Sequence, residues 1–333
     1  RLPFAAFVSE VLVKLAKCSP TEISTTFRRL CEIVDKCSPA PVASDVNLVS
    51  IAFDEPTLVR LQKWKAAIQT LDSPLQDIFL FLLLSILEST SQISNDGQFP
   101  RIKKDKKPLW PDEALQGKVI QTLSDLITVR SLWPHLDNCP EPKVYVGDTR
   151  DLSSIEFDGA PSIIITSPPY PNRYDYTRSY CLELCFHFVQ NFSELRELRM
   201  NLLRSHIEAR VHPDESPCHP GVEEVVQILK GQKLNNPRIP LMLIAYFLDM
   251  ERAIREWSRV MRPGGRVALV VDNVRFHGEV IPVDLILCDL AEQHGFVTEK
   301  ILIARYKGNS SQQMGRFKRV RVRESILLWR KTL

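Results

Sequence analysis

Residues 163–176 read "IIITSPPYPNRYDY", three isoleucines and a threonine running straight into Ser-Pro-Pro-Tyr. An unbroken β-branched run predicts a strand buried on both faces, as in parallel sheets. Two consecutive prolines end such a strand, because neither has an N–H for the ladder; they stiffen the turn and leave its carbonyl oxygens as acceptors. In open α/β sheets ligands bind beyond the carboxyl ends of the strands. Ser167, Pro168, Pro169 and Tyr170 stand at such an end. Hydroxyl, carbonyls and aromatic face suit a planar ring carrying an exocyclic amine, which donates to the oxygens while the ring stacks on the tyrosine. Acceptors on the amine favour a pyramidal nitrogen with a localised lone pair. They also stabilise the positive charge that develops as it attacks an electrophilic methyl group. No covalent protein nucleophile is required.

The flanks extend this pattern. "KVYVGDTRDL" (143–152) reads as a short β-like run ending in Gly-Asp. Downstream come a helix-rich stretch from 177 to about 232, broken by the polar loop 212–221, and a long amphipathic helix at 240–261 stopped by "RPGG". A buried strand "RVALVVDN" (266–273), a helix at 283–296 ended by Gly295, and strands at 298–307 and 324–331 complete the chain. Alternating strands and helices predict an α/β fold with a mostly parallel sheet and an antiparallel strand pair at its edge. The first 138 residues read instead as helices at 7–17, 19–37, 54–71, 74–94 and 111–133, with a Pro/Ala/Ser link at 38–46 and a basic loop at 101–111.

Composition bounds the rest. Net charge is +3, so any nucleic-acid surface must come from local clusters. The longest apolar run, "IFLFLLLSIL" (78–87), is too short to span a membrane, and no secretory signal precedes it. Eight cysteines with no C-x-x-C predict reduced thiols in the cytoplasm, and no metal site is expected. Twelve glycines include no G-x-G, so a glycine-rich cofactor turn is missing. The chain begins at Arg1 rather than Met, which predicts a piece of a longer protein.

"TSPPY" resembles motif IV of the amino-directed DNA methyltransferases, which methylate N4 of cytosine or N6 of adenine with S-adenosyl-L-methionine. A Ser before Pro-Pro leans towards N4-cytosine. The resemblance implies catalytic roles for Ser167, Pro168, Pro169 and Tyr170, and a Rossmann-like class I methyltransferase sheet. It extends to "VYVGDTRDL", similar to the segment after the family's third strand, where an acidic residue meets the cofactor's adenine. Cofactor contacts are thereby implied for Gly147, Asp148 and Thr149, with Thr166 beside the motif. "RLPFAAFV" resembles the stretch after the second strand and adds Phe4. "YPNRYDYTRSYCLEL", "LLRSH", "REWSRVMRPGGRVALVVDN" and the tail "RESILLWRK" also resemble family segments. On this alignment residues 1–138 are a large helical insertion between the second and third strands of the core, and 139–333 are the catalytic core, with 177–238 the candidate target-recognition region. An upstream segment or a second chain is expected to complete the cofactor site.

Double-stranded DNA is the implied partner, in a restriction–modification or related setting, and its target base must be flipped out of the stack. Arg173, Asp175 and Tyr176 form a candidate DNA- or base-contacting loop, against the alternative of a structural loop stapled by an Arg–Asp pair. Lys307, Arg316, Lys318, Arg319, Arg321 and Arg323 form a basic run without an acid until Glu324. It reads either as a solvated hairpin face or as a phosphate contact. His206 suggests a helix-surface or capping residue, and Cys218 follows a polar loop, unlike a nucleophile. Two rivals remain: an amino-methyltransferase acting on RNA or on a protein glutamine, and a non-catalytic nucleic-acid-binding subunit.

Overall fold

Prolines mark where the N-terminal helices start. The order is α1 (Pro3–Lys17), α2 (Pro20–Ile33), α3 (Asn47–Ala52), α4 (Glu55–Ile68), α5 (Leu75–Ser85), β1 (Ile93–Asp96), β2 (Phe99–Ile102) and α6 (Pro111–Leu132). Pro3, Pro20 and Pro111 occupy first helical positions, where the missing N–H has no partner to lose. Asp54 caps α4 by accepting from the Thr57 N–H at 2.9 Å. Helix α5 is apolar on nearly every side and buries Ile78, Phe79, Leu80, Leu82, Leu83 and Leu84, as a helix at the centre of a bundle must. It ends at Ser85, short of the expected residue 94. The hydroxyls of Ser89, Thr90 and Ser91 hydrogen-bond back to carbonyls at 86–88 and compete with further helix. The β1–β2 hairpin follows where helix and basic loop were expected.

This computed structural model describes residues 2–96, 99–212, 214–308, 315–318 and 320–332. The chain divides into two units, one of residues 1–146 and 176–199, the other of 147–175 and 200–333. The stretch 177–238 is therefore shared between them. Its first part carries α7 (Tyr176–Ser179), α8 (Cys181–Glu183), a π turn at Leu184–Phe188 and α9 (Phe192–Asn201), whose end passes into the second unit. Cys181, Leu182, Leu184, Cys185 and Phe186 join the first unit's apolar core.

The second unit contains β3 (Ile163–Thr166), α10 (Pro220–Lys230), α11 (Ile239–Val260), β4 (Arg266–Asp272), β5 (Val274–Phe276), β6 (Glu279–Ile281), α12 (Val283–Gln293), β7 (Phe296–Lys307) and β8 (Val322–Lys331). Its main sheet has the order β3-β4-β8-β7, and β5 and β6 form a separate hairpin. Gly264, at φ +74°, turns the chain after α11. Gly265 then passes so close to the Arg262 and Ser162 carbonyls that a Cβ would lie 2.9 and 3.2 Å from them. That approach starts the parallel β3–β4 pairing, with Ile163 opposite Arg266 and Thr166 opposite Leu269. Val267, Leu269 and Val271 alternate onto one face and pack with α10, α11 and α12.

Three expectations are corrected. The sheet is mixed: β3–β4 is parallel, whereas β8 runs antiparallel to both β4 and β7 because the terminal hairpin inserts its second strand beside β4. Strand β3 is not buried on both faces. Ile164 packs into the core, but Ile163 and Ile165 are 61% and 79% exposed. The helices cover one face of the sheet, and Ile163, Ile165, Ala268 and Leu328 line an open groove on the other. Residues 143–148 form no strand either. Tyr145 and Val146 are exposed, an isolated bridge joins Asp148 to Asp151, and the Asp148 carboxylate folds back onto the Arg150 N–H in a turn. No described helix is long and apolar enough to cross a membrane.

Candidate active site

Ser-Pro-Pro-Tyr leaves β3 directly after Thr166, at the carboxyl end of the parallel pair. The turn brings the Ser167 Oγ to 3.1 Å from the Tyr170 hydroxyl, and that hydroxyl donates to Glu324 Oε1 at 3.3 Å. Glu324 sits on β8 opposite Asp272, the last residue of β4. Arg305 hydrogen-bonds the other oxygen of Glu324, and Lys307 pairs with Asp272 and lies 3.9 Å from Glu324. The Lys307 ammonium also stands 5.6 Å from the Tyr170 ring centroid. Ser167, Tyr170, Asp272, Lys307, Arg305 and Glu324 thus form one polar cluster at the sheet's end. Burial, reinforced by the neighbouring carboxylates, pushes the Tyr170 phenol above its usual range. The hydrogen bond from Arg305, helped by Lys307, holds the Glu324 carboxyl below its own. Asp272 is buried, and desolvation raises its carboxyl despite Lys307.

The segment after the motif is fixed by the "LRSH" stretch. The Arg173 N–H donates to the Ser205 carbonyl at 3.0 Å, and the Ser205 hydroxyl donates to the Tyr174 carbonyl at 3.3 Å. Arg173 has φ +71°, and its guanidinium lies 5.8 Å from the Phe276 ring centroid, where burial lowers its pKa. Asp175 is buried. His206 is buried as well, rather than on a helix surface, with Nδ1 3.6 Å from Glu208. Asp175, His206 and Glu208 bring ligand-type atoms within 4.8 Å of one another, a grouping that sequence spacing did not reveal. Tyr176 begins α7 in the first unit.

Asp148 occupies a chain of charges. Arg150 donates to both its oxygens, from Nε at 2.9 Å and Nη2 at 2.8 Å, and from Nη1 to Asp249 at 2.8 Å. The buried Asp249 carboxylate also receives Arg204 at 3.1 and 2.8 Å, and Arg204 reaches Glu215 at 2.7 Å. Burial works against the charge on both arginines, but these pairs outweigh it and raise their pKa. The Thr149 hydroxyl accepts from the Trp257 indole at 3.0 Å, so α11 anchors this turn at two points. Gly147 lies against Ile155, which a Cβ would meet at 3.0 Å. Phe4 lies in the first unit, its ring 5.1 Å from Tyr180 and 5.9 Å from Phe188.

The basic run divides by role. Lys307 and Arg323 pair internally, the latter with buried Asp284 at 2.6 Å. Arg316 lies 5.3 Å from the Phe317 ring, and the Lys318 carbonyl accepts from Arg275. Arg321 is exposed, and Arg319 lies outside the described residues. Burial, seconded by Glu251, pushes the Cys218 thiol up to about 12, far from a thiolate nucleophile. Sequence reasoning missed Asp249, Asp272 and Glu324. Their signal was a lone acid inside, ending or opening an apolar run: "LIAYFLDM", "ALVVD" and "ESILLW".

The second unit is an α/β fold with its Ser-Pro-Pro-Tyr turn at the carboxyl end of the parallel strand pair. No family model matches the chain. It is 34% identical over 312 residues to the type II methyltransferase M.AvaI of Nostoc sp., covering 84% of this chain and 64% of that protein, and equally to M.AvaI of Anabaena variabilis. It is 31% identical over 369 residues to the type II methyltransferase M.BsoBI of Geobacillus stearothermophilus, covering 93% and 70%. The chain belongs to the type II methyltransferase family, and spans 64% of the length of the M.AvaI relatives. A solved structure from Thermus thermophilus, named as a candidate DNA modification methylase, aligns at TM-score 0.29 and 16% identity over 56% of this chain and 53% of that one, too loosely to bear on the fold.

Proposed function

We propose that this chain carries the substrate side of an S-adenosyl-L-methionine-dependent DNA methyltransferase acting on the exocyclic amine of a flipped base, N4 of cytosine by preference. The observation that carries the reading is the Ser167–Tyr170–Glu324 hydrogen-bond chain at the end of β3. It presents a hydroxyl oxygen, beside the carbonyls of a proline-stiffened turn, to a planar amine. Extruding the base costs a few kcal/mol of unstacking, which stacking on the Tyr170 ring would offset.

When bound, S-adenosyl-L-methionine supplies an electrophilic methyl group. The loop Gly147–Thr149 alone does not make its cradle, because Asp148 already accepts three hydrogen bonds from Arg150. Further polypeptide is therefore proposed to complete the site. The open groove beside Ile163 and Ile165 supports this, as an apolar sheet face of that kind is one that further chain covers. Arg316, Lys318, Arg319 and Arg321 are proposed phosphate contacts, with Arg173, Asp175 and Tyr176 near the target. The mutual support of Arg173, Tyr174 and Ser205 suits a loop that must hold its shape against DNA.

The test is methyl transfer from labelled S-adenosyl-L-methionine by the full-length protein to duplex DNA, RNA and protein, followed by nucleoside analysis. The expected product is N4-methylcytosine in duplex DNA, and Ser167→Ala is expected to slow its formation by about 10²–10³-fold without unfolding the protein. Label in RNA alone would overturn the DNA reading. N6-methyladenine would overturn the choice of base.

A further inference from the structure

The amine that gains a methyl group must also lose a proton, and the polar cluster at the end of β3 holds a path for it. Among the hydrogen-bonding groups in that path, Glu324 is distinctive. It reaches the motif from β8, more than 150 residues away in sequence, through the Tyr170 hydroxyl at 3.3 Å. An ionised carboxylate has no hydrogen to give, so the Tyr170 phenol must donate to it. The Ser167 hydroxyl, 3.1 Å from the same phenol oxygen, then donates to Tyr170 in turn. With its own hydrogen committed, Ser167 turns its lone pairs outward as acceptors, the polarity an amine requires. Two interactions keep Glu324 ionised and so keep that direction: Arg305 on one oxygen and Lys307 beside the other.

Resting on the functional reading above, we propose that Glu324 is the residue that sets the direction of the Ser167–Tyr170 chain and takes up the proton released from the methylated amine. Atoms and electrons balance. The amine lone pair forms the N–CH3 bond as the methyl–sulfur bond of a methyl sulfonium donor breaks, its electron pair going to sulfur. The nitrogen, now cationic, passes one proton to the Ser167 oxygen. The serine proton moves to the Tyr170 oxygen, and the tyrosine proton to Glu324, which becomes a neutral acid until it releases the proton to solvent. A methylated aromatic ammonium is a far stronger acid than a carboxylic acid, so a carboxylate held low by Arg305 remains a competent acceptor. The phenol is never free as an anion, since burial and the charges of Glu324 and Asp272 oppose its ionisation. Glu324 acts through Tyr170 and is a positioning residue in this scheme.

Two measurements test it. In single-turnover methyl transfer by the full-length protein, Glu324→Gln and Tyr170→Phe are each expected to slow the methyl-transfer step by about 10²-fold. Affinity for DNA should be unchanged, and the double variant should be no slower than either single one. A Glu324→Gln protein that transfers methyl at the wild-type rate, or two additive losses, would overturn the relay. Separately, the Tyr170 phenol is titrated by ultraviolet absorbance, with Tyr170→Phe identifying its signal. Facing it are Glu324, Asp272, Lys307 and Arg305. Removing the Glu324 charge is expected to move the phenol's titration to lower pH, and an unmoved titration would refute the hydrogen bond. A wild-type protein that methylates no DNA would sink the functional reading instead, while the titration would still decide whether Glu324 holds the chain.

Discussion

The two units bury different things. The first has a core of aliphatic and aromatic side chains, and its buried Lys65 donates its ammonium hydrogens to the Pro41 and Phe186 carbonyls at 2.8 and 2.6 Å. The second buries Asp175, Arg204, Asp249, Asp272, Arg275, Asp284 and Glu324. Burying an ion costs several kcal/mol that pairing only partly returns. A fold gains little net stability by collecting them, but once paired they hold charged groups in fixed geometry. The contrast separates a unit whose interior is almost wholly apolar from one that adds a set of paired, fixed charges to its apolar core.

The largest expected effect tests that contrast at its centre. Asp249 is fully buried and shared by Arg150 and Arg204. Asp249→Ala leaves two guanidiniums without their common partner and is expected to cost about 3–5 kcal/mol of unfolding free energy. Urea unfolding followed by tryptophan fluorescence measures it, since Trp257 and Trp329 lie in the second unit. Lys65→Met is expected to cost less, about 1–3 kcal/mol for two carbonyls left without their donor. It should leave methyl transfer untouched. Equal losses at Asp249 and Lys65 would erase the distinction between the units.

The same distinction explains what was legible beforehand. Elements whose shape follows from local pattern were readable: α11 from its amphipathic spacing and its Gly264 stop, β4 from "RVALVV", α12 from the Gly295 turn, the terminal hairpin from its two apolar runs. Ser-Pro-Pro-Tyr was readable as a strand end because prolines act on their own backbone. What failed depended on partners far away in sequence. "VYVGD" has strand-like residues, yet no strand pairs with it among the described residues, and Arg150 draws Asp148 into a turn. The isoleucines of β3 suit burial, but helices pack on one face only. Glu324 reads as a charge closing a basic run until β8 places it beside Tyr170. Residues whose role is electrostatic declare themselves only once the sheet has formed.

A smaller effect appears only in acid. Asp284 is buried among Arg323, Ser325 and the Asn273 side chain on its own N–H; burial opposes its charge, but these partners hold its carboxyl below the usual range. A depressed carboxyl contributes stability that is complete above the unfolded value of about 3.9 and is lost as pH falls through the lower folded value. Wild type should therefore lose stability below about pH 4 more steeply than Asp284→Asn, which has already lost the pair at neutral pH. Parallel acid limbs in thermal melts would show that Asp284 carries no such linkage.

The smallest effect on stability, and the sharpest on function, separates two neighbouring arginines. Arg321 is exposed, whereas Arg323 is tied to Asp284. Under the DNA reading, Arg321→Ala should change unfolding free energy by less than about 0.5 kcal/mol. It should weaken DNA binding uniformly across sequences and lower the slope of log affinity against log salt by about one, as losing a single phosphate contact does. Arg323→Ala should do the reverse, destabilising the second unit while leaving the salt slope alone, because its charge is already neutralised inside the fold. If Arg323 sets the salt slope and Arg321 does not, then charge in this unit is not divided into buried positioning groups and exposed contact groups.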